Sequence, residues 1–293
     1  MPPSARDYKV VDVFTRQPLL GNPVAVVLDA DGLDTDTMQR IARWTNLSET
    51  TFLLAPTRDA ADYRLRIFTP LSELPFAGHP TLGTAHAVLE SGRVTPRDGR
   101  LVQECGVGLV EISVAGEGED RRFAFELPSA AIKPLQGDDV DELEKILGEP
   151  VLREATPAII DVGPVWVVAQ IRSVEALLSI SPDFARSADF ERRLGATGVS
   201  VFAEHESDDA SIEVRSFAPS CGVDEDPVCG SGNGCVAVFR RERGLVDQGI
   251  AGYTATQGRC VGRDGRVTVE FDANGRPTIS GACVTSLDAV LRC

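Results

Sequence analysis

The chain repeats itself. GNPVAVVL at 21–28 returns as VGPVWVVA at 162–169. RLRIFTP at 64–70 returns as IEVRSFAP at 212–219, with Arg66, Phe68 and Pro70 matched to Arg215, Phe217 and Pro219. LPFAGHPTLGTAHAV at 74–88 returns as DPVCGSGNGCVAVF at 226–239, with Pro75, Gly78 and Ala85 matched to Pro227, Gly230 and Ala237. The offsets of 141, 149 and 152 lie close to half of 293 residues and grow along the chain, as loop insertions would make them grow. Three echoes in one order restrict the fold to two similar halves, each repeating one supersecondary plan. The stretch LPSAAIKPLQGDD at 127–139, rich in Pro, Gly and Asp, is the natural joint. It predicts domains at 1–126 and 127–293, with the last residues free to return to the first domain.

Local patterns fill in each half. PVAVVL and PVWVVA are apolar runs of strand length. DTDTMQRIARWTN predicts a helix capped by Asp34 or Thr35, with Met38, Ile41, Ala42 and Trp44 on its apolar stripe. TTFLLA and the alternating YRLRIFT predict strands, and TLGTAHAVLES a second helix. RVTVEFDANGRPTISG at 266–281 predicts a hairpin turning at Asn274-Gly275. Many strands with one or two helices per half make an α+β protein rather than a regular βαβ series.

Charge narrows the partners. A net charge of −15 excludes a basic footprint for nucleic acid and disfavours anionic membrane surfaces. No apolar run reaches the roughly 18 residues of a membrane span, and MPPSARDYKVVDVF lacks the apolar core of a secretory signal. Seven cysteines without a C-x-x-C spacing give no zinc framework. Reduced thiols in a cytoplasmic protein are the expectation.

Chemistry concentrates at the two glycine turns. Gly230-Ser231-Gly232-Asn233-Gly234 precedes an apolar helix, so free N–H groups and a positive dipole end would face an anion such as a carboxylate. It carries neither a Walker Lys nor the spacing of a dinucleotide fingerprint, and a purely steric turn is the alternative. Gly78-His79-Pro80-Thr81 holds the matching place in the first half. Two such helix starts aimed into one interdomain cleft would hold a small carboxylate. His79 precedes a proline, which predicts an extended backbone. His86 is expected in packing or at the surface, and His205, in EHESDD, is expected to be exposed. Glu49, in NLSETTF beside an apolar run, is either loop decoration or a desolvated general base. Cys229 is either a reactive thiol at a helix start or a buried small hydrophobe. Of the adjacent acids Glu225 and Asp226, one at most enters a site, because neighbouring residues point apart.

DVFTRQPLLGNPVAVVL, NLSETTF, LRIFTP, PFAGHPTLGTAH, EDPVCGSGNG and TQGR, in that order over roughly residues 8–262, resemble the PhzF-like phenazine-biosynthesis isomerase family. The resemblance implies the diaminopimelate-epimerase-like fold: two pseudo-symmetric β-barrel-like domains, each around a central helix. It implies a cofactor-independent isomerase, often a homodimer, that moves a proton between carbons of a small carboxylate, as in isomerisation of trans-2,3-dihydro-3-hydroxyanthranilate. By motif, Glu49 would be the general acid/base, with His79 and Asp226 as its partners. Ser48, Gly78, Gly230 and Ser231 would bind substrate, with Cys229 beside them. The chain departs from the family's EDP-x-T-G-S-A pattern at Cys229 and at Gly232-Asn233-Gly234. That local string is similar to the cysteine-dependent amino-acid and imino-acid epimerases and racemases, but the first-half counterpart of Cys229 is Ala77. An epimerase using Cys229 is therefore one alternative, and a non-catalytic metabolite-binding protein another.

Overall fold

The computed structural model describes residues 4–206, 210–246 and 251–293. Two compact units divide the chain: 1–125 with 280–293, and 126–279. The first unit contains β1 (Ala5–Val13), β2 (Asn22–Val27), α1 (Thr35–Thr45), β3 (Glu49–Leu54), β4 (Tyr63–Phe68), β5 (Glu73–Leu74), α2 (Gly78–Glu90), β6 (Arg100–Cys105), β7 (Gly108–Ala115) and β8 (Arg122–Glu126). The second contains β9 (Ala131–Pro134), α3 (Gly137–Leu147), β10 (Ala158–Asp161), β11 (Val165–Gln170), α4 (Val174–Ser179), α5 (Phe184–Leu194), β12 (Gly198–Glu204), β13 (Ile212–Ala218), β14 (Val223–Asp226), α6 (Gly230–Glu242), β15 (Gly252–Gln257), β16 (Gly265–Phe271) and β17 (Pro277–Gly281). The chain then returns to the first unit as β18 (Cys283–Arg292). The class is α+β.

The repeat read from the sequence is a repeat of topology. In the first unit β18, β1 and β2 pair antiparallel, β2 pairs parallel to β3, and β3 antiparallel to β4. Strand β4 is antiparallel to β5 and parallel to β6, which continues antiparallel to β7 and β8. In the second unit β9, β10 and β11 pair antiparallel, β11 parallel to β12, and β12 antiparallel to β13. There β13 is antiparallel to β14 and parallel to β15, which pairs antiparallel with β16. Each unit places a helical crossover before its first parallel partner and a glycine-led helix before its second.

Those glycine-led helices are buried nearly all round and are therefore core helices. Nine of the thirteen residues of α2 and ten of the thirteen of α6 are buried. Small residues allow the fit. A Cβ at Gly83 would stand 2.4 Å from Val24, and one at Gly234 2.4 Å from Leu127. The outer helices are amphipathic instead. Helix α1 lays Met38, Ile41 and Ala42 on Tyr8, Ala25, Val27, Phe52 and Phe68. Helices α3, α4 and α5 cover the sheet of the second unit through Leu143, Ile146, Leu177 and Phe190.

The matched Arg and Phe positions carry one device twice. Arg66 donates from Nε and Nη2 to Glu73 at 2.7 and 2.6 Å and lies over the Phe68 ring. Arg215 does the same to Glu225 at 3.0 and 2.8 Å and lies over Phe217. Each pair ties the strand carrying the Arg to the short strand just before a glycine turn.

Three local expectations are corrected. Trp44 is 75% exposed, because the stripe of α1 narrows to Met38, Ile41 and Ala42. His79 is helical rather than extended, since a proline within a helix's first turn is tolerated and α2 starts at Gly78. His205 is largely buried: its Nε2 lies 3.0 Å from Thr256 Oγ1 and 3.3 Å from Glu213, on strands that the local sequence does not reveal. No helix among the described residues is long and apolar enough to cross a membrane.

Candidate functional site

In the first unit, the end of α1 delivers Glu49. The helix is capped by Asp34, whose side chain accepts from the Thr37 N–H. It stops at Asn46, which adopts a left-handed conformation (φ 55°) that Asn tolerates. That reversal starts β3 at Glu49, opposite Val24 of β2. The Ser48 hydroxyl hydrogen-bonds to the Glu49 carboxyl, yet burial outweighs that contact and pushes the carboxyl up from 4.5 to about 7. Only 15% of the side chain is exposed. Near neutral pH such a group is divided between proton acceptor and proton donor.

His79 faces it. Its Nε2 lies 3.4 Å from Glu49 Oε2, and Asn22 Nδ2 lies 3.5 Å from the other ring nitrogen. An amide that donates to Nδ1 leaves the ring proton on Nε2, toward the carboxylate. Helix α2 holds the imidazole through its second residue. No side chain caps that helix start, where Ala77 is the cap residue. Gly78 permits the close approach: a Cβ there would stand 2.6 Å from the Phe125 ring. The structure thus brings together Ser48, Glu49, Gly78 and His79.

In the second unit, β14 ends at Asp226. Its carboxylate accepts the Val228 N–H at 3.0 Å, which bends the chain into the turn. Cys229 caps α6, with its sulfur accepting the Gly232 N–H at 3.2 Å. Gly232 has no room for a side chain, since a Cβ would meet Ser200 Oγ at 2.5 Å. The cap contact and the helix start favour a thiolate. Burial and the nearby Asp226 charge outweigh them and hold the Cys229 thiol well above its ordinary range. Trp166 Nε1 donates to Ser231 Oγ at 3.0 Å. Indole N–H can only donate, so this bond turns the Ser231 hydroxyl proton toward another acceptor. The structure thus brings together Asp226, Cys229, Gly230 and Ser231.

Sequence reading missed Asn22, Trp166, Asn233 and Gln257 as supports of these groups. Asn22 and Trp166 lie inside the two echoed strand segments, the signal that could have found them.

Glu49 also fixes a pH dependence of stability. Its proton is held near pH 7 in the folded chain and near 4.5 otherwise. A raised carboxyl pKa stabilises fully below pH 4.5, and that contribution is lost as pH rises through 7. Glu49→Gln is therefore expected to be about 3 kcal/mol more stable than the parent at pH 8, with the gain gone at pH 4. Urea unfolding at both pH values measures it, and equal differences at both would refute it.

Comparison with known proteins gives the family. The chain is 43% identical to Antisense-enhancing sequence 1 of Schizosaccharomyces pombe over 277 residues, 93% of each chain. It is 35% identical to trans-2,3-dihydro-3-hydroxyanthranilate isomerase of Pseudomonas aeruginosa, covering 92% of this chain and 91% of that one. The crystal structure of a PhzF-family phenazine biosynthesis protein from Bacillus anthracis superposes with a TM-score of 0.88 at 24% identity, over 98% of this chain and 99% of that one. By its curated relatives the protein is an isomerase. The chain belongs to the phenazine biosynthesis-like family (PhzC-PhzF), whose model matches residues 11–289.

Proposed function

We propose that this isomerase works without a cofactor, removing a proton from one carbon of a small carboxylate and returning it at another. The observation that carries the proposal is the desolvated Glu49 carboxyl, near pH 7, 3.4 Å from His79. Glu49 is the acid/base. His79 and Asp226 are its partners on the substrate's polar groups, and Ser48, Gly78, Cys229, Gly230 and Ser231 bind substrate. The likeness to trans-2,3-dihydro-3-hydroxyanthranilate isomerase supports a cyclic, amino-bearing substrate. We read each sheet as closing around its central helix, and the protein as a cytoplasmic homodimer.

The raised pKa of Cys229 argues against an epimerase that uses this thiol as its base, since a base must be ionised to take a proton. The deciding experiment is incubation in D₂O with trans-2,3-dihydro-3-hydroxyanthranilate and a panel of amino and cyclic imino acids, each carbon read by NMR. Deuterium in the ring of the first compound, with its double bonds moved, is expected. Cys229→Ala is expected to slow this by less than about tenfold, the effect of one lost cap contact. Exchange confined to an amino-acid α-carbon, and abolished in Cys229→Ala, would replace this reading with the epimerase. A bound carboxylate that never exchanges would leave a protein that binds and does not catalyse.

A further inference from the structure

The last residue of β15, Gln257, is 1% exposed and spends its whole amide on the turn that begins at Asp226. Its Oε1 accepts the Cys229 N–H at 3.1 Å and the Asn233 side-chain amide at 2.8 Å. Its Nε2 donates to the Asp226 carbonyl at 2.9 Å. Two of these partners are backbone groups whose donor and acceptor senses are fixed. A flipped amide would set N–H against N–H and oxygen against oxygen, so only one orientation is allowed. Asn233, also 1% exposed, closes the loop by donating to the Cys229 carbonyl at 2.9 Å. The next residue, Gly258 (φ 107°), lets the strand end press on the turn, since a Cβ there would stand 2.5 Å from the Pro227 carbonyl.

The first unit carries a counterpart. Gln103 of β6, fully buried, donates to Thr81 Oγ1 of α2 at 3.1 Å and accepts from the Tyr63 hydroxyl. In both units the glutamine stands on the strand that runs parallel to the Arg-bearing one.

We infer that Gln257 is a positioning residue: its amide locks residues 226–233 so that Asp226 and Ser231 are held in one geometry before substrate arrives. The inference rests on the proposed isomerisation for its catalytic consequence, but the locking itself has a readout without substrate. Cys229, 5% exposed, sits at the centre of the locked turn, while Cys235, fully buried in the same helix, reports unfolding of α6 as a whole.

The test uses the full chain with Gln257→Leu and Gln257→Glu. Iodoacetamide labelling of Cys229 and Cys235 is followed by mass spectrometry, and turnover by the D₂O assay. Losing a buried hydrogen-bond partner corresponds to roughly 10–100-fold. Gln257→Leu is expected to speed Cys229 labelling and lower kcat by about that factor at every pH, with Cys235 labelling unchanged. Gln257→Glu behaves like it at pH 8, where the carboxylate can accept from Cys229 but only repels the Asp226 carbonyl. At pH 5.5 a protonated carboxyl donates again, and both quantities move back toward the parent measured at the same pH. That acid recovery is a signature a merely space-filling role would not produce.

Folded variants with Cys229 labelling within about twofold of the parent, or a loss that acidification does not reverse in Gln257→Glu, would overturn the inference. If Cys235 is exposed in Gln257→Leu, the nearly isosteric Gln257→Glu alone decides. A parent chain that exchanges no proton on any compound would sink the isomerisation instead, and the labelling arm would still decide the lock.

Discussion

Glu49→Gln is expected to fold, to bind its carboxylate ligand, and to lose turnover by about 10³–10⁴-fold, at the upper end of what one positioned acid/base supplies. The amide matches the carboxyl in size and still accepts a hydrogen bond, so Ser48 and His79 keep a partner. It cannot hold a transferable proton. The parent's kcat/KM should rise through about pH 7, as the free enzyme's Glu49 ionises, and the variant's residual activity should lack that limb. NMR exchange rates and ligand Kd values measured on the same preparations separate chemistry from binding. A folded variant with near-normal turnover would remove Glu49 from the mechanism.

The second large effect concerns stability and uses the repeat as its own control. The side chains of Arg215 and Glu225 are 5% and 8% exposed, and Arg215 also donates to the carbonyls of Leu177 and Ile180 at the end of α4. Arg215→Met strands a buried carboxylate and is expected to cost about 3–5 kcal/mol. The matching pair, Arg66 and Glu73, is 25% and 39% exposed, so Arg66→Met should cost about 0–1 kcal/mol. Urea midpoints at constant slope give both numbers. Equal costs would show that burial does not distinguish the two copies of the device.

The contrast shows what a sequence can carry. The repeat displayed both Arg-x-Phe pairs and both glycine turns, because chain order alone encodes them. It concealed which copy is buried, since that depends on helices packed from elsewhere. Glu49 looked like loop decoration within its own segment, because its elevated pKa comes from surroundings that β2 and α2 supply. Asn22 and His79 stand 57 residues apart, and Cys229 and Gln257 28 apart, beyond the reach of any local pattern. Trp44 and His205 were misplaced for the same reason: exposure is decided by neighbours that are distant in the chain.

The return of β18 sets an order on synthesis. Its residues 283–292 pair with residues 5–13 of β1, so β1 finds one of its two neighbours only after the whole second unit has been made. The second unit, lying wholly between, has all its strands in hand sooner. A nascent chain therefore carries β1 with one open edge while the second unit is being made, the stage at which unpaired edges recruit wrong partners. Lys9, whose ammonium reaches Asp288 of β18 at 2.6 Å in the folded unit, places a charge on that waiting edge.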